Sequence, residues 1–401
     1  MIHNLGPFIF GILILLILTI VNILMLKYLN KAWWQKKFIR ITVVLLPVIG
    51  LIGSIVWGMG YQAKSIWMSK IGSILVILIA ISLLALIMAL PFSGLLNLIS
   101  ARMEKRKQRS AAEKSDEISL QRRSFLKGAA AAIPLISLST GGGGIASSFQ
   151  KTNIYTLPMS FENLPPQLEG FRILHVSDSH LGIYKFLSDY EEIFEEAAEY
   201  KPDLVLLTGD ISDNLTILPD ALKIADGLKP RFGSYASLGN HEYYRGISQV
   251  LNSFESGPIE LLRSSGKTID INGATLYLAG CDDPVKIHGL NHDFLGDSME
   301  KGLVGRPSGA FTVLMSHRPE GLDPAAEKDI DLVLSGHTHG GQAGINGHSL
   351  WSAFTDRYLW GQYRKNNSQM YLSSGIGHWF PFRLGCPPEA PIIELTTKID
   401  S

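Results

Sequence analysis

Three almost uninterrupted apolar stretches, at 6–26, 41–59 and 71–90, limit what this 401-residue chain can fold into. A transmembrane helix needs about 20 such residues, and no polar face breaks these runs as it would in helices of a soluble core. Lys27, Lys31, Lys36, Lys37 and Arg40 follow the first stretch, with Trp33 and Trp34 as interfacial aromatics. Pro91 closes the third, apart from an interfacial continuation to Ile99, and Arg102, Lys105, Arg106, Lys107 and Arg109 come next. The positive-inside rule then places 27–40 and 101–123 in the cytoplasm and the N-terminus outside. Residues 1–128 hold 16 of the 36 Lys and Arg but 4 of the 36 Asp and Glu, so a basic first part precedes an acidic remainder. Because these basic residues lie between apolar segments, they imply a membrane partner and no nucleic acid.

The segment Gln121-Arg122-Arg123-Ser124-Phe125-Leu126-Lys127-Gly128 leads into a mildly apolar Ala- and Gly-rich stretch to about 146. Two arginines, a spacer, Phe-Leu and Lys before a weakly hydrophobic region resemble a twin-arginine export signal, displaced from its usual N-terminal place. The plainer reading is a basic juxtamembrane segment followed by a Gly-rich linker. Export would put the following domain on the extracytoplasmic side. No Ala-x-Ala cleavage site is evident, so cleavage and retention as a fourth anchor both stay open. The glycine run 141–144 reads as a flexible linker, and a soluble domain starts near 152.

From there short apolar runs alternate with helical patterns. Strands are expected at 171–176, 203–208, 234–238, 275–279, 310–315, 330–335, 369–373 and 391–395. Helices are expected at 187–200, 216–227 and 246–255, the first acidic on one face with Ile193, Phe194 and Ala197 on the other. Such a mixture implies an α/β sheet domain. The chain shows no internal repeat. Of its two cysteines, Cys281 and Cys386, neither belongs to a Cys-x-x-Cys zinc pattern, and a disulfide between them is neither required nor excluded.

Five polar clusters each end one of these apolar runs. They are Ser177-Asp178-Ser179-His180, Gly209-Asp210-Ile211-Ser212-Asp213, Gly239-Asn240-His241-Glu242, Ser316-His317, and Gly336-His337-Thr338-His339-Gly340-Gly341-Gln342. Ligands in open α/β sheets bind at the carboxyl ends of strands, and imidazole is the commonest protein ligand for transition metals. Any one cluster has a dull explanation, since Asp after a strand caps a turn and Gly-Asn is a common turn pair. Five of them, all at strand ends, leave coincidence negligible.

The order Asp-x-His, Gly-Asp-x-x-Asp, Gly-Asn-His-Glu, His, Gly-His-x-His closely resembles the calcineurin-like metallophosphoesterase superfamily over about 169–396. The tail Gly375-Ile376-Gly377, Arg383 and Cys386-Pro387-Pro388-Glu389 is similar to membrane-associated bacterial members. The resemblance implies an α/β sandwich of two mixed sheets flanked by helices, here preceded by an N-terminal helical membrane region. It implies one metal ion on Asp178, His180, Asp210 and His339, and a second on Asp210, Asn240, His317 and His337. A carboxylate can bridge two cations, and ions about 3.5–4 Å apart can share a water and lower its pKa towards neutrality. Nitrogen and oxygen ligands without thiolate suit manganese, iron or zinc better than calcium.

His241 has no metal in this scheme and is free to donate to a phosphoryl oxygen or a leaving group. Asp213 either orients that imidazole, the favoured role, or caps the next segment. His175 reads as packed or paired within its strand, and His288, His292 and His348 fall in turn-rich segments. His378, in an aromatic stretch, reads as core packing. The alternative is a rim touching lipid or an apolar substrate group, which Trp351, Phe354, Tyr358 and Trp360 could join. The expectation is a membrane-anchored dinuclear phosphoesterase acting on a phosphorylated small molecule or lipid by in-line attack of a metal-bridging hydroxide. Its rivals are a pyrophosphatase of lipid-linked or nucleotide-sugar diphosphates and an inactive metal-binding sensor module. The sensor reading sits poorly with seven filled ligand positions.

Overall fold

The computed structural model describes residues 6–63, 65–107, 139–285 and 291–398. The Arg122-Arg123 segment and His288 lie outside the described residues. Two compact units emerge, 1–145 and 146–401.

In the first unit, α1 (Gly6–Leu29), the short α2 (Lys31–Trp34), α3 (Lys37–Gln62) and α4 (Ile66–Lys107) form in order. Windows of α1, α3 and α4 at Gly11–Leu29, Lys37–Gln62 and Ile66–Pro91 are long and apolar enough to cross a membrane. Small residues let α3 and α4 approach closely. A Cβ on Gly72 would stand 2.3 Å from the Trp57 backbone nitrogen. Asn22 Nδ2 donates to the Leu83 carbonyl at 2.9 Å, tying α1 to α4. Pro91 does not close the third helix. Its missing N–H costs one hydrogen bond, which a long apolar helix tolerates, and α4 runs on to Lys107.

The 141–144 glycines are not an irregular linker either: residues 139–148 form a helix, α5. A Cβ on Gly141 would meet Ile81 Cγ2 at 2.3 Å, so at this position tertiary packing overrides the low helix propensity of glycine.

The second unit contains β1 (Asn153–Ser160), β2 (Arg172–Val176), α6 (Leu187–Ala198), β3 (Leu204–Thr208), α7 (Leu218–Gly227), β4 (Ser234–Ser237), α8 (Asn240–Glu255), β5 (Glu260–Leu261), β6 (Ser265–Ile271) and β7 (Ala274–Gly280). It continues with α9 (Asn291–Gly302), β8 (Phe311–Met315), α10 (Leu322–Ala325), β9 (Leu332–Ser335), the hairpin β10 (Gly344–Ile345) and β11 (His348–Ser349), β12 (Gly361–Lys365), β13 (Ser368–Leu372) and β14 (Glu389–Thr396). One six-stranded sheet has the order β1-β14-β2-β3-β4-β5 and the other β12-β13-β9-β8-β7-β6. Both are mixed: β2, β3 and β4 run parallel beside an antiparallel β14, and β7, β8, β9 and β13 run parallel beside antiparallel β6 and β12.

The central strands are apolar throughout because both of their faces are buried. Leu204 and Leu206 enter the core shared by the two sheets, while Val205 and Leu207 pack with residues of α6 and α7. In the second sheet Val313 and Met315 face the shared core and Leu314 packs with residues of α9 and α10. His292 lies in α9 instead of a turn. Cys281 and Cys386 are separate buried thiols.

Candidate metal centre

All five clusters follow parallel strands: β2, β3 and β4 in one sheet, β8 and β9 in the other. The strands therefore deliver their carboxyl-end loops to one place. Asp178, His180, Asp210, His337 and His339 all have positive φ, between 45° and 77°. That left-handed region costs a non-glycine residue roughly 1 kcal/mol or more and concentrates at functional sites. Close approach fixes two neighbouring glycines. A Cβ on Gly336 would fall 2.1 Å from Asp178 Oδ2, and one on Gly239 would fall 2.3 Å from Asp210 Oδ1.

Asp178, His180 and His339 form one buried group able to hold a metal ion, and the buried Asp210 and His317 form another with the half-buried His337. In the first, Asp178 Oδ1 is 3.9 Å from His180 Nε2 and 3.6 Å from His339 Nε2. Asp210 Oδ2 lies 3.7 Å from His180 Nε2 and 3.2 Å from His317 Nε2, so one carboxylate oxygen stands between the two groups. His180 Nε2, His317 Nε2 and Asn240 Oδ1 are buried without a hydrogen-bond partner. Leaving buried polar atoms unpaired is costly, and metal-ligating atoms converging beside carboxylates fit a cation. His317 Nδ1 donates to the Thr208 carbonyl at 2.9 Å, which turns the other nitrogen, Nε2, inward. His337 is the exception. Its Nε2 accepts from Arg318 Nη1 at 2.8 Å, so that nitrogen is already engaged. Arg318 is held in turn by Asp283, with Nε to Oδ2 at 2.8 Å.

His180, Asp213 and His241 make a third group of metal-ligand type, in which hydrogen bonds already engage His241 and one oxygen of Asp213. His241 Nδ1 is 2.7 Å from Asp213 Oδ1, and Arg245 Nε donates to that oxygen at 3.0 Å. Asp213 Oδ2 faces His180 Nδ1 at 3.4 Å.

The protein's own charges polarise the site. Burial opposes ionisation of Asp210, but His317, His241 and His180 hold its carboxyl well below the usual range. Burial likewise opposes the charge on Asp213, and Arg245, His241 and His180 outweigh it. Against burial, Asp210 pushes His317 up to about 10, and Asp210 and Asp213 raise His241. Burial, then Arg318 and His317, drive His337 well down. Burial, then His180 and Arg383, do the same to His339.

Several supporting residues had no role in the sequence reading. Glu242 accepts from the backbone N–H groups of Asp210 (2.9 Å), Ile211 (2.7 Å) and Gly239 (2.7 Å), fixing the loop that carries Asp210. Its place in Gly-Asn-His-Glu was the available signal. Arg383, fully buried, donates to the carbonyls of Ser374 (2.8 Å), Gly375 (3.1 Å) and Gly377 (2.5 Å). The loop it braces pairs with the Asp178 strand end, Ile376 N donating to Ser177 O at 3.0 Å. Arg245 stands one helical turn after His241, and no pattern in the sequence marks Asp283.

Of the other histidines among the described residues, His175 and His378 are packed in the interior. His175 is buried and paired with Thr208 Oγ1 at 2.8 Å, and burial takes it down to about 3. His348 lies in β11. His378 is buried, stacked on Tyr184 at 4.9 Å with Phe149 edge-on at 5.5 Å. Trp360 is buried too, whereas Trp351 and Phe354 are exposed.

Residues 171–341 match the family model described as calcineurin-like phosphoesterase. The chain is 31% identical over 291 residues to the uncharacterized metallophosphoesterase YkuE of Bacillus subtilis (strain 168), covering 69% of this chain and 98% of that protein. It is 32% identical over 254 residues to an uncharacterized metallophosphoesterase of Aquifex aeolicus (strain VF5), covering 62% and 93%. Over 264 residues it is 31% identical to the transmembrane protein with metallophosphoesterase domain of Danio rerio, covering 63% of this chain and 59% of that one.

Proposed function

Because the chain belongs to the calcineurin-like phosphoesterase family, we propose that it is a membrane-anchored phosphoesterase that works with two divalent metal ions. The observation that carries this reading is the Asp210 carboxylate, one oxygen of which lies between His180 of one ligand group and His317 of the other. Asp178, His180, Asp210 and His339 would hold one ion, and Asp210, Asn240, His317 and His337 the other. Manganese, iron or zinc suits these donors, and two such ions supply Lewis acidity towards a phosphoryl oxygen and a lowered pKa for the attacking water.

The remaining roles fall to the chain. With Nδ1 on Asp213, His241 offers Nε2 to a phosphoryl oxygen or to the departing alcohol, and the two carboxylates nearby favour its protonated form. Asp213, neutralised by Arg245, orients His241 and stands beside His180. Two ionised ligands against two dications leave a positive site suited to a phosphate group. The three apolar helices would anchor the chain, with the catalytic domain on the extracytoplasmic side if 125–146 crosses. The substrate is a phosphorylated small molecule or lipid. Assaying the detergent-purified full chain on phosphomonoester, phosphodiester and pyrophosphate substrates, each with manganese, iron or zinc, tests the reading. Metal-dependent turnover of one class supports it, and none with any metal would overturn it.

A further inference from the structure

Ile345, Leu350, Trp351 and Phe354 expose 59, 47, 53 and 83% of their surface. They fall within ten residues and make up half of the eight large exposed apolar side chains among the described residues of the second unit. The segment that carries them is tied to the loop of His337 and His339 at two points. Trp351 Nε1 donates to the Gly341 carbonyl at 2.9 Å, and Thr338 Oγ1 donates to the Leu359 carbonyl at 2.6 Å. With its polar atom used within the protein, Trp351 presents an apolar ring outward. Such a concentration of exposed apolar side chains marks a surface with a partner.

We propose that the segment 344–360 dips these four side chains into a lipid bilayer beside the metal-ligand loop. Four side chains alone offer less than the roughly 800 Å² per partner that a stable protein interface buries. Shallow insertion of Trp, Phe, Leu and Ile into a headgroup layer needs no such area when a second anchor shares the load, and the same chain carries three helices able to cross a membrane. Charge agrees: with Lys365 paired to Asp323, exposed Arg357 and Arg364 still outnumber exposed Asp356 in and just after the segment, as anionic headgroups require. Taken with the function proposed above, on which this last step rests, the surface would bring the centre to phosphate groups of amphiphiles held in the membrane.

The test needs no turnover, so it can fail independently of the enzymatic reading. The full chain with Ser352→Cys, labelled with an environment-sensitive fluorophore, is reconstituted into phosphatidylcholine–phosphatidylglycerol vesicles. Both native cysteines are buried, and Lys201→Cys, at another exposed position, serves as the control. The label at 352 is expected to shift to the blue and to be quenched by nitroxide-bearing acyl chains, unlike the label at 201. Adding Trp351→Ser and Phe354→Ser should abolish the quenching. A label at 352 that aqueous iodide quenches and nitroxide lipid does not would overturn the proposal. So would one shielded from both, which would indicate a protein partner or a second copy.

Discussion

Asp213 Oδ1 receives Nδ1 of His241 at 2.7 Å, and the second oxygen of the same carboxylate faces Nδ1 of His180 at 3.4 Å. One buried acid therefore orients the His241 imidazole through a hydrogen bond and stands beside the imidazole of a candidate ligand, His180. The arrangement separates two kinds of variant: those that remove metal and those that remove chemistry.

His241→Ala belongs to the second kind. Turnover should fall by about 10²–10⁴, as for loss of a general acid, while metal content measured by elemental analysis stays at the wild-type level. Loss of metal would make His241 a ligand.

Asp213→Asn should cost stability as well as rate. Arg245, whose side chain is 5% exposed, would lose its ion pair to Asp213 at 3.0 Å, a loss of about 3 kcal/mol. Thermal unfolding of the purified chain should show a clearly lower midpoint, together with slower turnover. An unchanged midpoint would mean that Arg245 does not depend on Asp213.

The pH dependence of metal binding follows from His317. Its folded-state value is raised to about 10 from an ordinary 6.5. The proton therefore stabilises the fold fully below about pH 6.5, and that contribution is lost as pH rises through 10. A cation on Nε2 must displace that proton, so zinc affinity should rise with pH over this window. Calorimetry at pH 8 in buffers of different ionisation enthalpy should show proton release, and a heat independent of buffer would contradict this.

The side of the membrane is tested by Arg122→Lys with Arg123→Lys, which keeps the charge and removes the guanidinium groups an export receptor would read. The domain should become protected from protease in intact spheroplasts, while the first three spans still insert. Protection already in the wild type would place the domain in the cytoplasm.

The eight strands expected from apolar runs all form, and the sandwich strands that were missed, β1, β5, β6 and β12, are the four sheet edges. An edge strand has one neighbour and less buried surface, so it need not be apolar. In β6, Ser265–Ile271, only Ile269 and Ile271 are buried. Within the site, residues at strand ends stood out because the motif is local. Arg318 with Asp283, and Arg383 with the 374–377 carbonyls, meet only through tertiary folding, and no periodicity announces them. Gly141 misled for the same reason, since its value lies in contact with Ile81.

The central claim is that two cations sit across Asp210. The most direct measurement is titration of the metal-stripped full chain with manganese or zinc, following bound metal and hydrolysis together. The account predicts that activity rises until two equivalents are bound, and that Asp210→Asn binds less metal and hydrolyses nothing, because a neutral amide bridges two cations poorly. Saturation of activity at one equivalent, or full metal content with wild-type turnover in Asp210→Asn, would contradict it.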